Sequence, residues 1–267
     1  MRGNKVHDVT HLVGMSVVEP VLAGQKALAS ITDQEIARMP ALSLDSVALL
    51  SPIRSPGKIV AAPDNYRAHS AEMQADGSAS FGRVPMPLDK AGLFLKAVSS
   101  LVGPSAGVTR RFPERRTDYE VELVVIIGAE ARDINPAQAL DVVAGYAIGL
   151  DITIRGPEDR SFRKSLDTYT VVGPWMTSAD VIPDPQALTM SLQVNGELKQ
   201  QTTLTDMITD VRGLIAYAST FAALKPGDMI FTGTPSGVGP IQGGDVMLAK
   251  VDRIGQMQVV VRDYAAD

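Results

Sequence analysis

No cysteine occurs in the 267 residues, which removes disulfides, thiolate metal ligands and cysteine nucleophiles without fixing a compartment. No apolar run reaches the roughly 18 residues of a membrane span. The opening Met1-Arg2-Gly3-Asn4-Lys5-Val6-His7 lacks the apolar stretch of a secretory signal, so a soluble cytoplasmic protein is expected. Basic surface is scarce as well. Lys and Arg number 25 against 30 Asp and Glu, for a net charge of −5. The one dense basic patch, Arg110-Arg111-Phe112-Pro113-Glu114-Arg115-Arg116, is interrupted by an acid and a proline. Nucleic acid and anionic membrane are therefore not expected as partners. Histidines number three, and His7 and His11 fall near the N-terminus, leaving His69 alone in the rest of the chain.

What is present suffices for a large core, with 45% hydrophobic residues. Residues 1–56 read as a small N-terminal domain with one short helix, because Thr32-Asp33-Gln34-Glu35 is a capping box. The break Ser51-Pro52-Ile53-Arg54-Ser55-Pro56-Gly57 separates it from a catalytic domain over 57–267. Strands are predicted over 58–62, 93–97, 120–128, 146–154, 188–194, 229–232, 246–251 and 257–261. Helices are predicted to start at Asn135-Pro136 and at Asp210. Many strands and few helices point to an α+β fold with mixed or antiparallel sheet. Residues 74–87, rich in small residues and proline, read as a long loop, either disordered or a lid.

Three acids carry the chemistry. In a strand, residues i and i+2 share a face, so Glu120 and Glu122 point the same way, and Asp151 on a second strand can join them. Three crowded carboxylates repel unless a cation lies between them, and oxygen ligands suit Mg²⁺, Mn²⁺ or Ca²⁺. The competing reading makes Glu120 and Glu122 the wet side of a half-buried strand. His69 and Glu72, three apart on a helical turn, form either a general-base pair for water or a surface ion pair. Lys164 is either an anion-stabilising cation or a solvated loop lysine. Gly233-Thr234-Pro235-Ser236-Gly237-Val238-Gly239 is neither a phosphate-binding P-loop nor a dinucleotide loop, and fits a small-anion loop or an ordinary turn.

Taken together and in order, Asn65 to Glu72, Phe94 to Lys96, Tyr119 to Leu123, Gly145 to Asp151, Lys164 to Thr168, Gly173 to Trp175, Val194 to Glu197, Leu224 to Asp228 and Thr232 to Gly239 resemble the fumarylacetoacetate hydrolase superfamily. The resemblance implies a mixed β-sandwich or roll, usually a homodimer, with Mg²⁺ or Mn²⁺ held by Glu120, Glu122 and Asp151. It implies His69 and Glu72 as the water-activating pair, Lys164 as the active-site lysine, Arg155 and Gln200 as polar substrate contacts, and Thr234 at the substrate's carboxylate end. Asp64 does not match the spacing of the extra aspartate of larger members, and Gly156 stands where an aspartate is usual. The expected reaction is metal-dependent hydrolysis of a C–C bond in a β-diketo acid of the acylpyruvate or fumarylpyruvate type. Decarboxylation, isomerisation or hydration of a 2-oxo acid at the same site is the alternative, and a non-catalytic ion-binding domain belongs to another class.

Overall fold

The computed structural model describes residues 4–9, Leu22 and 31–265. His11 and much of the proposed 1–56 unit lie outside the described residues. Within that unit, Lys5–His7 pairs antiparallel with Ala41–Ser43, so His7 sits in a small two-stranded sheet. The helix Asp33–Arg38 opens with the expected capping box, Thr32 N–H donating to Glu35 Oε2 at 2.8 Å and Glu35 N–H to Thr32 Oγ1 at 3.3 Å.

A mixed seven-stranded sheet forms the centre. Its strands run, edge to edge, Phe94–Lys96, Ile59–Ala61, Met229–Phe231, Val121–Ile127, Val143–Asp151, Thr170–Ser178 and Leu101–Val102. A second sheet of five strands has the order Glu197–Thr203, Thr189–Val194, Val246–Val251, Gly255–Asp263 and Val108–Arg110. The main core joins Leu123, Val125, Ile148 and Leu150 of the first sheet to Met190, Leu192, Met247, Ala249 and Val259 of the second. A smaller cluster on the other face of the first sheet holds Ile53, Ile59, Ala61, Val124, Ile126, Ala147 and Phe231. Val121–Ile127 is therefore buried on both faces, which explains the apolar run from Leu123 to Ile127. This is an α+β fold of sandwich or roll type, as expected.

Several expectations change in detail. The strand predicted from Glu120 begins at Val121 and runs to Ile127, and a separate strand, Thr117–Tyr119, precedes it with Glu120 at the joint. The partner run is divided at Ile152, between Val143–Asp151 and Thr153–Ile154. Thr170–Ser178 and Glu197–Thr203 are strands that the sequence does not announce. The first contains Gly173-Pro174 and accommodates it through a register shift between Gly173 and Thr177. The second is a polar edge strand with no apolar alternation. The helix after Asn135 is a 3₁₀ segment, Pro136–Val142, capped by the Asn135 side chain. The helix Val211–Phe221 starts as predicted, Asp210 Oδ1 accepting from Gly213 N–H at 2.7 Å.

Residues 74–87 are not bare loop. The helix Arg67–Ala75 is followed directly by the short helix Gly77–Ser80. Asp76 caps the second by accepting from the N–H groups of Ser78 and Ala79, and Ala79 and Ser80 are buried. Among the described residues no helix is long and apolar enough to cross a membrane.

Candidate metal centre and substrate pocket

Strand register brings the three acids together. Glu122 lies opposite Gly149, and Asp151 N–H donates to the Glu120 carbonyl at 2.9 Å, which sets Asp151 opposite Glu120. Residues facing one another across an antiparallel ladder share a sheet face, so all three carboxylates end on the side of Val124 and Ala147. One oxygen from each of Glu120, Glu122 and Asp151 lies within 4.8 Å of the others. The side of that face is crowded: a Cβ on Gly149 would stand 2.5 Å from Phe231 Cε1 and from Val124 Cγ2. Only glycine permits the packing beside Glu122. The carboxylates are not a wet strand face, since Glu120, Glu122 and Asp151 are 4%, 2% and 0% exposed.

Charges are arranged unevenly around this triangle. Lys164 Nζ donates to Glu120 Oε2 at 2.6 Å, Asp151 Oδ2 at 2.8 Å and Thr153 Oγ1 at 2.7 Å, which uses its three N–H bonds. Lys96, fully buried, donates to Asp151 Oδ1 and to the carbonyls of Lys164 and Tyr169. Arg155 Nε meets Asp118 Oδ2 at 2.8 Å and Nη2 meets Glu120 Oε1 at 3.1 Å. Glu122 has no cationic partner among the described residues and accepts from Gly233 N–H at 2.6 Å.

The acidities follow that arrangement. Burial disfavours ionisation of Glu120, but Lys164, Arg155 and His69 outweigh it and hold the carboxyl down to about 2. Burial and then the charge of Asp151 push the Glu122 carboxyl up, with Lys164 opposing. Burial lowers the Lys96 ammonium, opposed by Asp151. The position short of positive charge is thus Glu122, inside an all-oxygen donor set. That is what a hard divalent cation fits.

His69 and Glu72 face each other on the helix Arg67–Ala75, with Nδ1 3.1 Å from Glu72 Oε2. The other Glu72 oxygen accepts from Gly237 N–H at 2.8 Å, so the glycine-rich loop fixes the carboxylate that fixes the imidazole. Asn65 anchors the start of this helix, its amide donating to the carbonyls of Thr209 and Thr232. A carboxylate at Nδ1 keeps the proton there and leaves Nε2 as the basic atom. His69 lines the same pocket as Glu120, Glu122, Arg155, Lys164 and Thr234.

The remaining candidates divide. Thr234 reaches the pocket, its hydroxyl donating to the Val121 carbonyl at 2.9 Å. Gln200 sits behind it, 1% exposed and outside the pocket lining. Its amide donates to Thr234 Oγ1 and the Pro235 carbonyl, both at 2.9 Å, and accepts from Val121 N–H at 3.0 Å. Gln200 therefore supports Thr234 and is not itself presented to a ligand. Residues that sequence reasoning gave no role also belong here: Lys96 and Asp118 beneath the acids, and Arg83, Arg160, Arg163 and Asp64 in the pocket wall. The motif Phe94 to Lys96 was the signal available for Lys96.

Residues 58–262 match the model of the fumarylacetoacetate (FAA) hydrolase C-terminal family. The maleylpyruvate hydrolase of Aquipseudomonas alcaligenes is 46% identical over 270 residues, covering 97% of this chain and 94% of that protein. The mitochondrial oxaloacetate tautomerase of Xenopus laevis is 31% identical, covering 95% of this chain and 83% of that one. A crystal structure of maleylpyruvate hydrolase from Sphingobium sp. SYK-6, in complex with manganese(II) ion and pyruvate, superposes with a TM-score of 0.85. It is 34% identical, and the match covers 99% of this chain and 95% of that one.

Proposed function

The chain belongs to the fumarylacetoacetate hydrolase family, and from that premise we propose that it is a divalent-metal-dependent hydrolase of an acylpyruvate-type β-diketo acid. The observation that carries this reading is one pocket lined by Glu120, Glu122 and His69, with Asp151 completing the buried triangle and Glu72 hydrogen-bonded to the imidazole. Three carboxylate ligands leave room for a chelating 2-oxo acid. Mg²⁺ or Mn²⁺ is the proposed ion, with Ca²⁺ a third fit, and the manganese in the Sphingobium enzyme supports the class.

When bound, the ion supplies positive charge that favours the enolate of a 2-oxo acid. His69 Nε2 takes a proton from water as the oxygen attacks the distal carbonyl, and Glu72 stabilises the imidazolium that forms. The C–C bond then breaks, and its electron pair goes to the 2-oxo fragment as an enolate. The imidazolium returns its proton to the enolate carbon, giving a carboxylic acid and pyruvate. Lys164 spans Glu120 and Asp151 and keeps two ligands aligned, while Thr234, held by Gln200, and Arg155 shape the pocket wall.

A second reading is decarboxylation, isomerisation or hydration of a 2-oxo acid at the same site, and the Xenopus relative, an oxaloacetate tautomerase, supports its isomerisation branch. The two separate in one assay. Acetylpyruvate, fumarylpyruvate and oxaloacetate are offered with Mn²⁺, with Mg²⁺ and after chelation, to wild type and His69→Ala. Hydrolysis that needs both the metal and His69 supports the proposal; turnover of oxaloacetate alone, indifferent to His69, sinks it.

The proposal also includes a cytoplasmic homodimer built from a 1–56 unit and a 57–267 catalytic domain. Sedimentation of the full chain and expression of each part test these.

A further inference from the structure

A run of paired charges leads from the surface to one carboxylate of the ion triangle. Asp76 Oδ2 accepts from Arg116 Nη1 at 2.9 Å, and Arg116 Nε and Nη2 donate to the two oxygens of Asp118 at 2.8 and 3.0 Å. Asp118 Oδ2 also accepts from Arg155 Nε at 2.8 Å, and Arg155 Nη2 reaches Glu120 Oε1 at 3.1 Å. Charge alternates in sign throughout. The outer end is wet, with the side chains of Asp76 and Arg116 37% and 26% exposed, whereas Asp118 and Arg155 are buried.

Asp118 is the shared member. It lies on the strand Thr117–Tyr119 opposite Thr153, and Arg155 N–H donates to the Arg116 carbonyl at 2.8 Å, so the backbone keeps the two arginines in step around it. Its Oδ2 takes a bond from each guanidinium, and a shift of either changes what the carboxylate offers the other. Little solvent screens such charges when they are buried. The outer members belong to a segment that lines the pocket through Ala79, Ser80 and Arg83. Asp76 caps Gly77–Ser80, and Ser78 Oγ also accepts from Arg116, at 2.7 Å. At the other end of this segment Arg83 donates to the carbonyls of Gly156, Pro157 and Glu158, which directly follow Arg155. Residues 76–83 are thus fastened at both ends around Arg155.

We propose that Asp118 is a positioning residue for the ion site. Through Arg155 it sets how much guanidinium charge falls on Glu120, and through Arg116 and Asp76 it ties that setting to the order of residues 76–83. Without the Asp118 charge, Arg155 turns wholly to Glu120 and competes with the cation for Oε1. The inference rests on the reading of Glu120, Glu122 and Asp151 as the ion ligands, and it holds whichever 2-oxo acid reaction follows.

Calorimetric titration with Mn²⁺ alone tests it without turnover. Asp118→Asn, which keeps the shape and removes the charge, is expected to weaken Mn²⁺ by about 10–100-fold. Asp76→Asn, at the exposed end, is expected to weaken it by about 5-fold. The double variant should bind no more weakly than Asp118→Asn alone, because the path from Asp76 is already cut. A direct effect of the Asp76 charge through space would instead persist in the double variant and fade with added salt. Hydrogen exchange gives the reciprocal reading: Mn²⁺ should slow exchange over residues 76–83 in wild type and leave it unchanged in Asp118→Asn saturated with the ion. Should Asp118→Asn not fold, Arg116→Gln takes its place in the same cycle. Additive losses, or Asp76→Asn without effect on affinity, would overturn the inference and leave the ion site standing, since an Asp118 that serves folding alone gives no such coupling. A wild type that binds no Mn²⁺ removes the ion reading itself and this inference with it.

Discussion

The floor of the pocket and its rim are held by different kinds of structure. On the floor, Glu122 and Asp151 project from paired strands and Glu120 from the joint beside them, where backbone bonds and packed neighbours fix their positions. At the rim, Arg83 and Arg163 come from loops and short helices fastened by side chain to carbonyl bonds over residues 154–158. A strand ladder cannot shift by one residue without turning every side chain to the other face, whereas a loop can exchange one contact at modest cost. The candidate ion site is thus built into the fold, and the arginines of the wall sit on structure that can vary.

The largest expected effect comes from breaking the floor. Glu122→Gln should abolish metal-dependent turnover and the thermal stabilisation given by Mn²⁺, with a loss greater than that of any rim substitution; retained Mn²⁺ stabilisation would show the triangle is not the ion site. His69→Ala should lower kcat by about 10²–10⁴-fold while Mn²⁺ stabilisation persists, which separates base from ligands. Lys96→Met, which frees Asp151 Oδ1, should weaken Mn²⁺ binding by about 10–100-fold and cost about 3–5 kcal/mol in denaturant unfolding of the ion-free protein. An unchanged affinity would mean that Lys96 serves folding alone.

The smallest effect belongs to the rim and is a matter of pH. Asp76 is held near 2, against an ordinary 3.8, first by the Ser78 hydroxyl and then, with burial opposing, by Arg116. A carboxyl whose folded value is depressed stabilises above its unfolded value and loses that contribution as pH falls toward the folded one. The Gly77–Ser80 turn should therefore loosen between about pH 4 and pH 2, and Asp76→Ala should produce the same loosening at neutral pH, worth about 1 kcal/mol. Hydrogen exchange over residues 76–83 measures both, and protection that does not change with pH would remove Asp76 as the fastening.

How much was legible depended on range along the chain. The Glu120 and Glu122 pairing follows from a spacing of two, the His69–Glu72 bond from a spacing of three, and the Asp210 and Thr32 caps from neighbouring residues. The break at Glu120 was not legible, because an acid in an apolar run looks the same within a strand as at a joint. Gln200 shows the limit most clearly. A buried amide that supports Thr234 and one that touches substrate have the same sequence signature, and only the position of Val121, 79 residues away in the chain, separates them.

Side-chain types and short-range periodicity offered a divalent cation, oxygen ligands and a histidine base beside the ordinary readings of a wet strand face and a surface ion pair, and the ordered motifs that resemble a known family chose between them. Tertiary structure alone decided which face was buried, that Lys96 and Lys164 both grip Asp151, and that Arg163 has no acidic partner among the described residues. Those outcomes are electrostatic and depend on distance and dielectric. Both are set when the strands pair, and neither is written in any local stretch of residues.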